Sequence, residues 1–443
     1  MTPNTPLALP ARTWIAACLS LAAGAALAQP ATEATLAARL DQLASELAAV
    51  KAQLAVLQQR GTPAQSTAVP VSAAAAAAAP APLASALDSA ATAPPSPATV
   101  LTSYGEINYN RPLRATQNAR ADVRRLVLGF QHRFDERTKL VTELEVEHAV
   151  ASAGDKGEVA VEQAYIERQL TPLLALRAGL FLMPAGLLNE NHEPTAYYGV
   201  ERNFVETAII PSTWREGGVQ LVASFDNGLT AQGGLSSSFD LNKWDAASTE
   251  GRESPLGAIH QELSQARSRD LALFGALNWR GVPGLLLGGS LFSGQGSQGQ
   301  ATTSARITLW DAHARWSPGR WDLSTVYARG DISNTAALNA PLVGKTTLIP
   351  KTFDGFYVQG AYKLWSQGDY ALSPFLRWER FNTASAYANL GAGLTPASAR
   401  AERVTTLGAN FVISPGVVLK ADWQRFREAP DLDRVSLGMG WSF

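Results

Sequence analysis

Cysteine is almost missing from this chain. Cys18 is the only one among 443 residues, so no internal disulfide can form and no thiolate-based metal site can be built. Histidine is scarce as well, with five: His132, His148, His192, His260 and His313. None lies beside a Gly-x-Ser-x-Gly elbow, which argues against a Ser-His-acid hydrolase. No glycine-rich loop follows a strand and opens a helix, so nucleotide chemistry has no motif to rest on. Charge of one sign is missing too: 37 basic against 38 acidic residues give a formal net charge of -1, and no bulk potential points to nucleic acid. Beyond the first residues no apolar run reaches the ~20 needed for a membrane-spanning helix. Yet 46% of the residues are hydrophobic, dispersed in short alternating pieces, and that is how a transmembrane β-barrel is written.

The first residues read as an export signal. Arg12 supplies the positive end, Trp14 to Leu27 an apolar stretch, and Ala26-Leu27-Ala28 a small-residue cleavage site before Gln29. The segment Ile15-Ala16-Ala17-Cys18 also fits a lipoprotein acceptor, but the apolar stretch before Cys18 is too short for it. The signal is therefore assigned to residues 1–28.

Residues 29–60 carry a second pattern. Leu36, Leu40, Leu43, Leu47, Val50, Leu54 and Leu57 are spaced alternately four and three apart, the seam of a coiled coil. Residues 61–100 are dominated by Ala, Pro, Ser and Thr, with the run Ala73 to Ala79 and Asp88 as the only charge after Arg60. They read as a linker from which no core can be built.

From Leu101 to Phe443 the pattern is all-β. About sixteen strands of suitable length alternate with connections of two kinds. Asp135-Glu136-Arg137, Thr171-Pro172, Asp226-Asn227, Gly281-Val282-Pro283, Ser317-Pro318-Gly319, Ser366-Gln367-Gly368 and Ser414-Pro415 are tight turns. The connections between them are longer, above all Pro184–Glu216 and Ser237–Asp270. Short turns on one rim and long loops on the other are the architecture of an outer-membrane barrel with periplasmic turns, and an even strand count returns both termini to the periplasm. The predicted fold is a sixteen-stranded antiparallel transmembrane barrel preceded by a periplasmic coiled coil and linker.

Strand faces assign the two sides of the wall. Leu174, Leu176, Ala178, Leu180 and Leu182 share one face opposite Arg177 and Gly179, while Leu144 and Val146 oppose Glu143, Glu145 and Glu147. Apolar residues belong against lipid and charges in a wet lumen. If Phe134 pairs with Thr138 across its turn, Arg125 faces Glu147 and Arg133 faces Lys139 on the inner side. Asp311, His313, Arg315, Lys363, Arg377, Glu379, Lys420 and Asp422 fall on the same parity. This set is mixed in sign and contains no uninterrupted run of arginines.

The segment "MPAGLLNENHEPTAYYGVERNFVETAIIPSTWREGGVQL", with "RRLVLGFQHRF", "LEVEHA" and "EQAYIE" before it, resembles the phosphate-selective porin O and P family. The resemblance covers the first half of the barrel strongly and the second half through strand pattern. It implies a trimeric sixteen-stranded porin whose third loop folds into the lumen and narrows it, with small ions, phosphate or other anions as permeants. The ending "VSLGMGWSF" resembles the C-terminal signal of outer-membrane barrels, which implies that Trp441 and Phe443 are read by the assembly machinery. Independently of resemblance, Pro184–Glu216 is long for such a wall and mixes charges with large apolar anchors, as a functional loop does. Glu190, His192, Glu193, Arg202 and Glu206 are expected nearest the passage, facing Arg125, Glu143, Glu145, Glu147 and Arg177. Ser237–Asp270, poorer in apolar anchors, is expected to cap the outer mouth. Glu190-Asn191-His192-Glu193 could supply metal ligands, but no second His or Cys cluster accompanies it, so neither metal nor cofactor is expected. The leading reading is a non-enzymatic channel in the outer membrane, surrounded by lipid. The alternatives are a tether to peptidoglycan through the coiled coil and an outer-membrane hydrolase.

Overall fold

The computed structural model describes residues 98–152, 155–300 and 303–443. The signal, the coiled-coil seam from Leu36 to Leu57 and nearly all of the linker lie outside the described residues. Seventeen strands form one sheet: β1 (Thr99–Pro112), β2 (Arg120–Arg133), β3 (Thr138–Glu147), β4 (Glu158–Thr171), β5 (Leu174–Leu182), β6 (Arg215–Ser224), β7 (Leu229–Ser237), β8 (Leu271–Trp279), β9 (Leu285–Gln295), β10 (Arg306–Trp316), β11 (Trp321–Ile332), β12 (Thr352–Tyr362), β13 (Trp365–Gln367), β14 (Tyr370–Ala386), β15 (Glu402–Ser414), β16 (Val417–Phe426) and β17 (Arg434–Ser442). Neighbours in sequence pair antiparallel, and β1 pairs with both β2 and β17. The sheet is therefore a closed sixteen-strand barrel with one addition, the three-residue β13, which lies beside β14. Closure leaves no strand edge to be satisfied from outside.

The seam is made by the last residues. Tyr104 faces Ser442 and Gly105 faces Trp441, while Ser103 and Phe443 exchange two backbone hydrogen bonds of 3.0 and 2.9 Å. A side chain at Gly105 would run into the Trp441 ring, so glycine there lets the indole lie flat across the junction. The predicted tight turns are present. Gly228, Gly284, Gly319, Gly368 and Gly416 close five of them at positive φ, a conformation costly for any residue with a Cβ.

The faces sort as the alternation predicts. Leu101, Leu128, Leu144, Leu221, Leu273, Leu291, Val358, Leu376, Leu407 and Leu437 are exposed on the outer surface, while Glu106, Arg125, Glu145, Gln220, Asp311, Arg377 and Asp422 point inward and are buried. Water would not stabilise so continuous an apolar belt, whereas hydrocarbon does. Leu180 and Leu182 depart from the expected outer stripe. Both are buried, and Leu263 from the connection after β7 lies against Gly217, the partner of Leu180. The loop shields this end of β5.

The interior is partly filled. Phe181, Met183, Val205, Ile209, Trp214, Phe239, Leu241, Leu256, Ile259, Phe274, Phe292, Ile307, Leu309 and Phe353 form one buried apolar cluster inside the wall. It draws on β3, β4, β5 and β8 to β12 and on the two longest connections. Trp214 is its centre, stacked on Phe239 at 5.3 Å and edge-on to Phe292 at 4.9 Å.

Candidate functional site

The connection from β5 to β6, residues 183–214, turns inward and is tied to most of the wall. Gly186 donates to Asp311, Phe204 to Glu379, and Val200 to Asp422 at 2.6 Å. Arg377 donates to the Tyr198 carbonyl, Asn410 to the Tyr197 carbonyl, and the Tyr197 hydroxyl to Glu106 at 2.7 Å. Lys420 sits 3.5 Å above the Tyr197 ring. Charged wall residues thus serve as acceptors and donors for a loop backbone that would otherwise leave its amides unpaired in the lumen.

This arrangement changes the roles expected of several residues. Glu206 is buried and accepts from the amides of Leu187 and Leu188, the Asn203 amide group and the Tyr357 hydroxyl. Arg202 is buried and holds Ser212, Thr213 and the His192 carbonyl. His192 is buried too, with Nδ1 2.9 Å from the Asn189 carbonyl and Nε2 against the Tyr104 hydroxyl and 3.1 Å from Glu162. These three were expected to border the passage. They instead stitch the loop to itself and to β1, β4 and β12, because a carboxylate or guanidinium that satisfies several buried partners has no capacity left for solvent. Glu190 is exposed and Glu193 half-exposed.

The early strands bring together the residues that the sequence singled out. Arg125 faces Glu147 and Arg133 faces Lys139, as the turn register requires. Arg125 lies inside a ring of carboxylates, 2.9 Å from Glu106, 3.0 Å from Glu145 and 3.9 Å from Glu147. Glu143 accepts from Gln163. Arg177 stands apart from this group. It pairs with Glu167 at 2.7 Å, reaches Glu190 at 4.0 Å and lies over the Tyr165 ring.

Two cavities flank the carboxylate stripe of β3. The first, about 300 Å³, lies towards the long-loop rim and is lined by Glu145, Glu147, Glu158, Glu250, Glu253 and Glu262 together with Arg215 and His260. Arg215 is already paired with Glu262 at 2.9 Å. Burial, helped by Lys243 and Arg215, pushes His260 down to about 4, so it is neutral at pH 7. The second cavity, about 210 Å³, lies towards the turn rim. Its lining holds Glu143 and Glu193 and no basic residue, and it reaches Ser442 and Phe443. Tyr104, Arg125 and Glu162 are buried close to the boundary between the two.

The connection after β7, residues 238–270, which was expected to cap the outer mouth, also packs inside the wall. Phe239, Leu241, Leu256 and Ile259 are fully or almost fully buried and join the interior core, while Arg267 pairs with Asp240 at 3.2 Å. Its few apolar residues suffice because all four join the buried cluster that holds Trp214 and residues of β9 and β10. Its acidic stretch, Glu250 to Glu262, borders the first cavity.

Four positions of this site escaped the sequence reading. Tyr104 and Glu106 were visible in principle, since Tyr104, Glu106, Asn108 and Asn110 alternate with Gly105, Ile107 and Tyr109. Glu162 was not. A bulge between Glu143 and Leu144 places Gln163 and Val161 opposite them, so the intervening Glu162 is added to the inner face against simple alternation. Glu158 gave no signal at the strand end. The His313–Asp311 pair, at 2.6 Å, lacks a nucleophile: His313 Nε2 meets Asn278, and Ser290 bonds to Asp311, not to the ring.

No family model matches this chain. A protein of Aquifex aeolicus described as uncharacterized is 29% identical over 360 residues, which are 77% of this chain and 79% of that one. Among solved structures, Salmonella typhi OmpF in complex with daunomycin covers 78% of this chain and 97% of its own, with a TM-score of 0.55 and 13% identity. The outer membrane channel DcaP of Acinetobacter baumannii covers the same share of this chain and 97% of its own, with a TM-score of 0.48 and 12% identity. The likeness to OmpF is one of fold: the barrel has the architecture of outer-membrane porins.

Proposed function

We propose that the protein is a passive diffusion channel of the bacterial outer membrane for small hydrophilic solutes or ions. One observation carries this reading: a closed barrel, apolar outside and charged inside, whose loop between β5 and β6 is anchored across the lumen and leaves polar cavities along one wall. A wall without this loop would be an open tube, and a wall sealed all round by the apolar core would conduct nothing. Planar-bilayer recording on the purified protein tests it. Stepwise conductance is expected, and a folded, heat-modifiable barrel that passes no ions overturns the reading.

The resemblance to phosphate-selective porins supports placing the chain near them, with a homotrimer as the assembly. Selectivity for phosphate receives less support. Oxyanion recognition needs unspent guanidinium or ammonium groups along the path, whereas here Arg125, Lys139, Arg177, Arg315 and Arg377 each have a carboxylate within 3.2 Å. Residues 29–60 are proposed to form a periplasmic coiled coil. Replacing Leu43 and Leu47 by Glu should abolish its helical signal while the barrel stays assembled, and sedimentation of this segment with peptidoglycan would favour the tether role alongside the channel.

A further inference from the structure

We infer that the permeation path runs along the inner face of β2–β4, prefers cations, and is constricted at the cluster of Tyr104, Glu162 and His192. This deepens the channel reading and rests on it.

The route follows from what is closed elsewhere. At the long-loop end of β5 to β12 the lumen is occupied by the apolar core around Trp214. Along β14–β17 the loop backbone is hydrogen-bonded to the wall through Arg377, Glu379, Asn410 and Asp422. The two cavities lie on the remaining side, one towards each rim, and both touch β3. Glu145 lines the first and Glu143 the second. These positions are two apart on one strand and share a face, so the barrier between the cavities is roughly 7 Å thick. The barrier is made of side chains, Tyr104 and Glu162 from the wall and His192 from the loop.

The sign of the preferred ion follows from which charges are spent. In the first cavity six carboxylates meet one permanent cation, Arg215, and that is bound to Glu262. In the second, Glu143 and Glu193 meet none. The barrier adds a further acid. Glu162 is 0% exposed, its Oε2 accepts from the Tyr104 hydroxyl at 2.8 Å and its Oε1 stands 3.1 Å from the His192 ring. A confined ring of like charge attracts counter-ions more strongly than an open surface does. The guanidinium of Arg125 does not cancel this, since Glu106 and Glu145 already hold it from two sides.

The test is the reversal potential of the purified full-length protein in a potassium chloride gradient, with four isosteric variants. The native channel should favour potassium over chloride. Glu143→Gln with Glu193→Gln, and separately Glu147→Gln with Glu158→Gln, should each lower that preference by about threefold or more. Glu162→Gln should lower it as well, and Glu190→Gln, on the other side of the loop, should leave it unchanged. An anion preference in the native channel, or loss of cation preference in Glu190→Gln with none in the two double variants, overturns the inference while the channel reading stands. Absence of any conductance removes the channel reading and this inference with it.

Discussion

The two halves of the lumen solve the same problem in opposite ways. At the long-loop end of β5–β12 the two long connections meet the wall through Trp214, Phe239, Phe274 and Phe292, and that space is dry. Against β1–β4 they meet it through Glu106, Arg125, Glu145, Glu162 and His192, and cavities remain. Apolar contact gains most by excluding every void, so it closes space. Charged contact cannot close completely without stranding a desolvated group, so it leaves room for water. Within one barrel the chemistry of the inward residues therefore decides which side is packed and which keeps cavities.

The contrast can be attacked on its dry side first. Trp214→Ala removes the centre of the core and should cost about 3–5 kcal/mol, read as a lower unfolding midpoint in denaturant. Ion selectivity of whatever remains folded should not change, because the wet side is intact. A shift in selectivity equal to that of the glutamate variants would show that the two sides are not separate.

Removing the partition comes next. Deleting Leu188 to Ala208 should raise single-channel conductance several-fold, since it takes away the anchored crossing and keeps the sixteen wall strands whose pairing does not involve it. Unchanged conductance in a folded deletion variant would place the passage away from this loop altogether.

A subtler change loosens the partition without removing it. Glu206→Leu leaves the Leu187 and Leu188 amides, Asn203 and Tyr357 without their shared acceptor, a loss of about 1–3 kcal/mol. Increased open-channel noise with an unchanged reversal potential is the expected signature. The smallest effect belongs to pairs outside both regions. Arg329 and Asp331, 3.2 Å apart and largely solvated, should contribute less than about 1 kcal/mol, so Arg329→Ala should be silent in conductance and nearly so in denaturant.

Most of the wall was legible in the sequence because its rules are local. Alternation and turn chemistry act over a few residues, and they located the hairpins and the register that sets Arg125 opposite Glu147. The interior was only partly legible. Glu206 and Glu190 are both acids amid apolar neighbours in one loop, yet one is buried under four donors and the other is exposed. What separates them is the path of the backbone, which is fixed by contacts with strands far away in sequence, such as Val200 with Asp422, 222 residues on. Glu162 shows a second limit. One bulge was enough to move it to the inner face, and no local signal announces a bulge of that kind.

The seam between β1 and β17 carries a consequence for how the molecule is made. Thr195 of the folded-in loop bonds to Ser442 at 2.7 Å, and His192 of the same loop bonds to Tyr104, the seam partner of Ser442. The loop is therefore fastened across both edges of the final joint. Its full seat exists only after the last strand has docked, while the space it occupies becomes enclosed by that same event. Synthesis order and assembly order thus diverge: a segment made before the barrel is half complete must wait beside an unfinished wall, and the chain's final aromatic residues complete the lumen and the cylinder together.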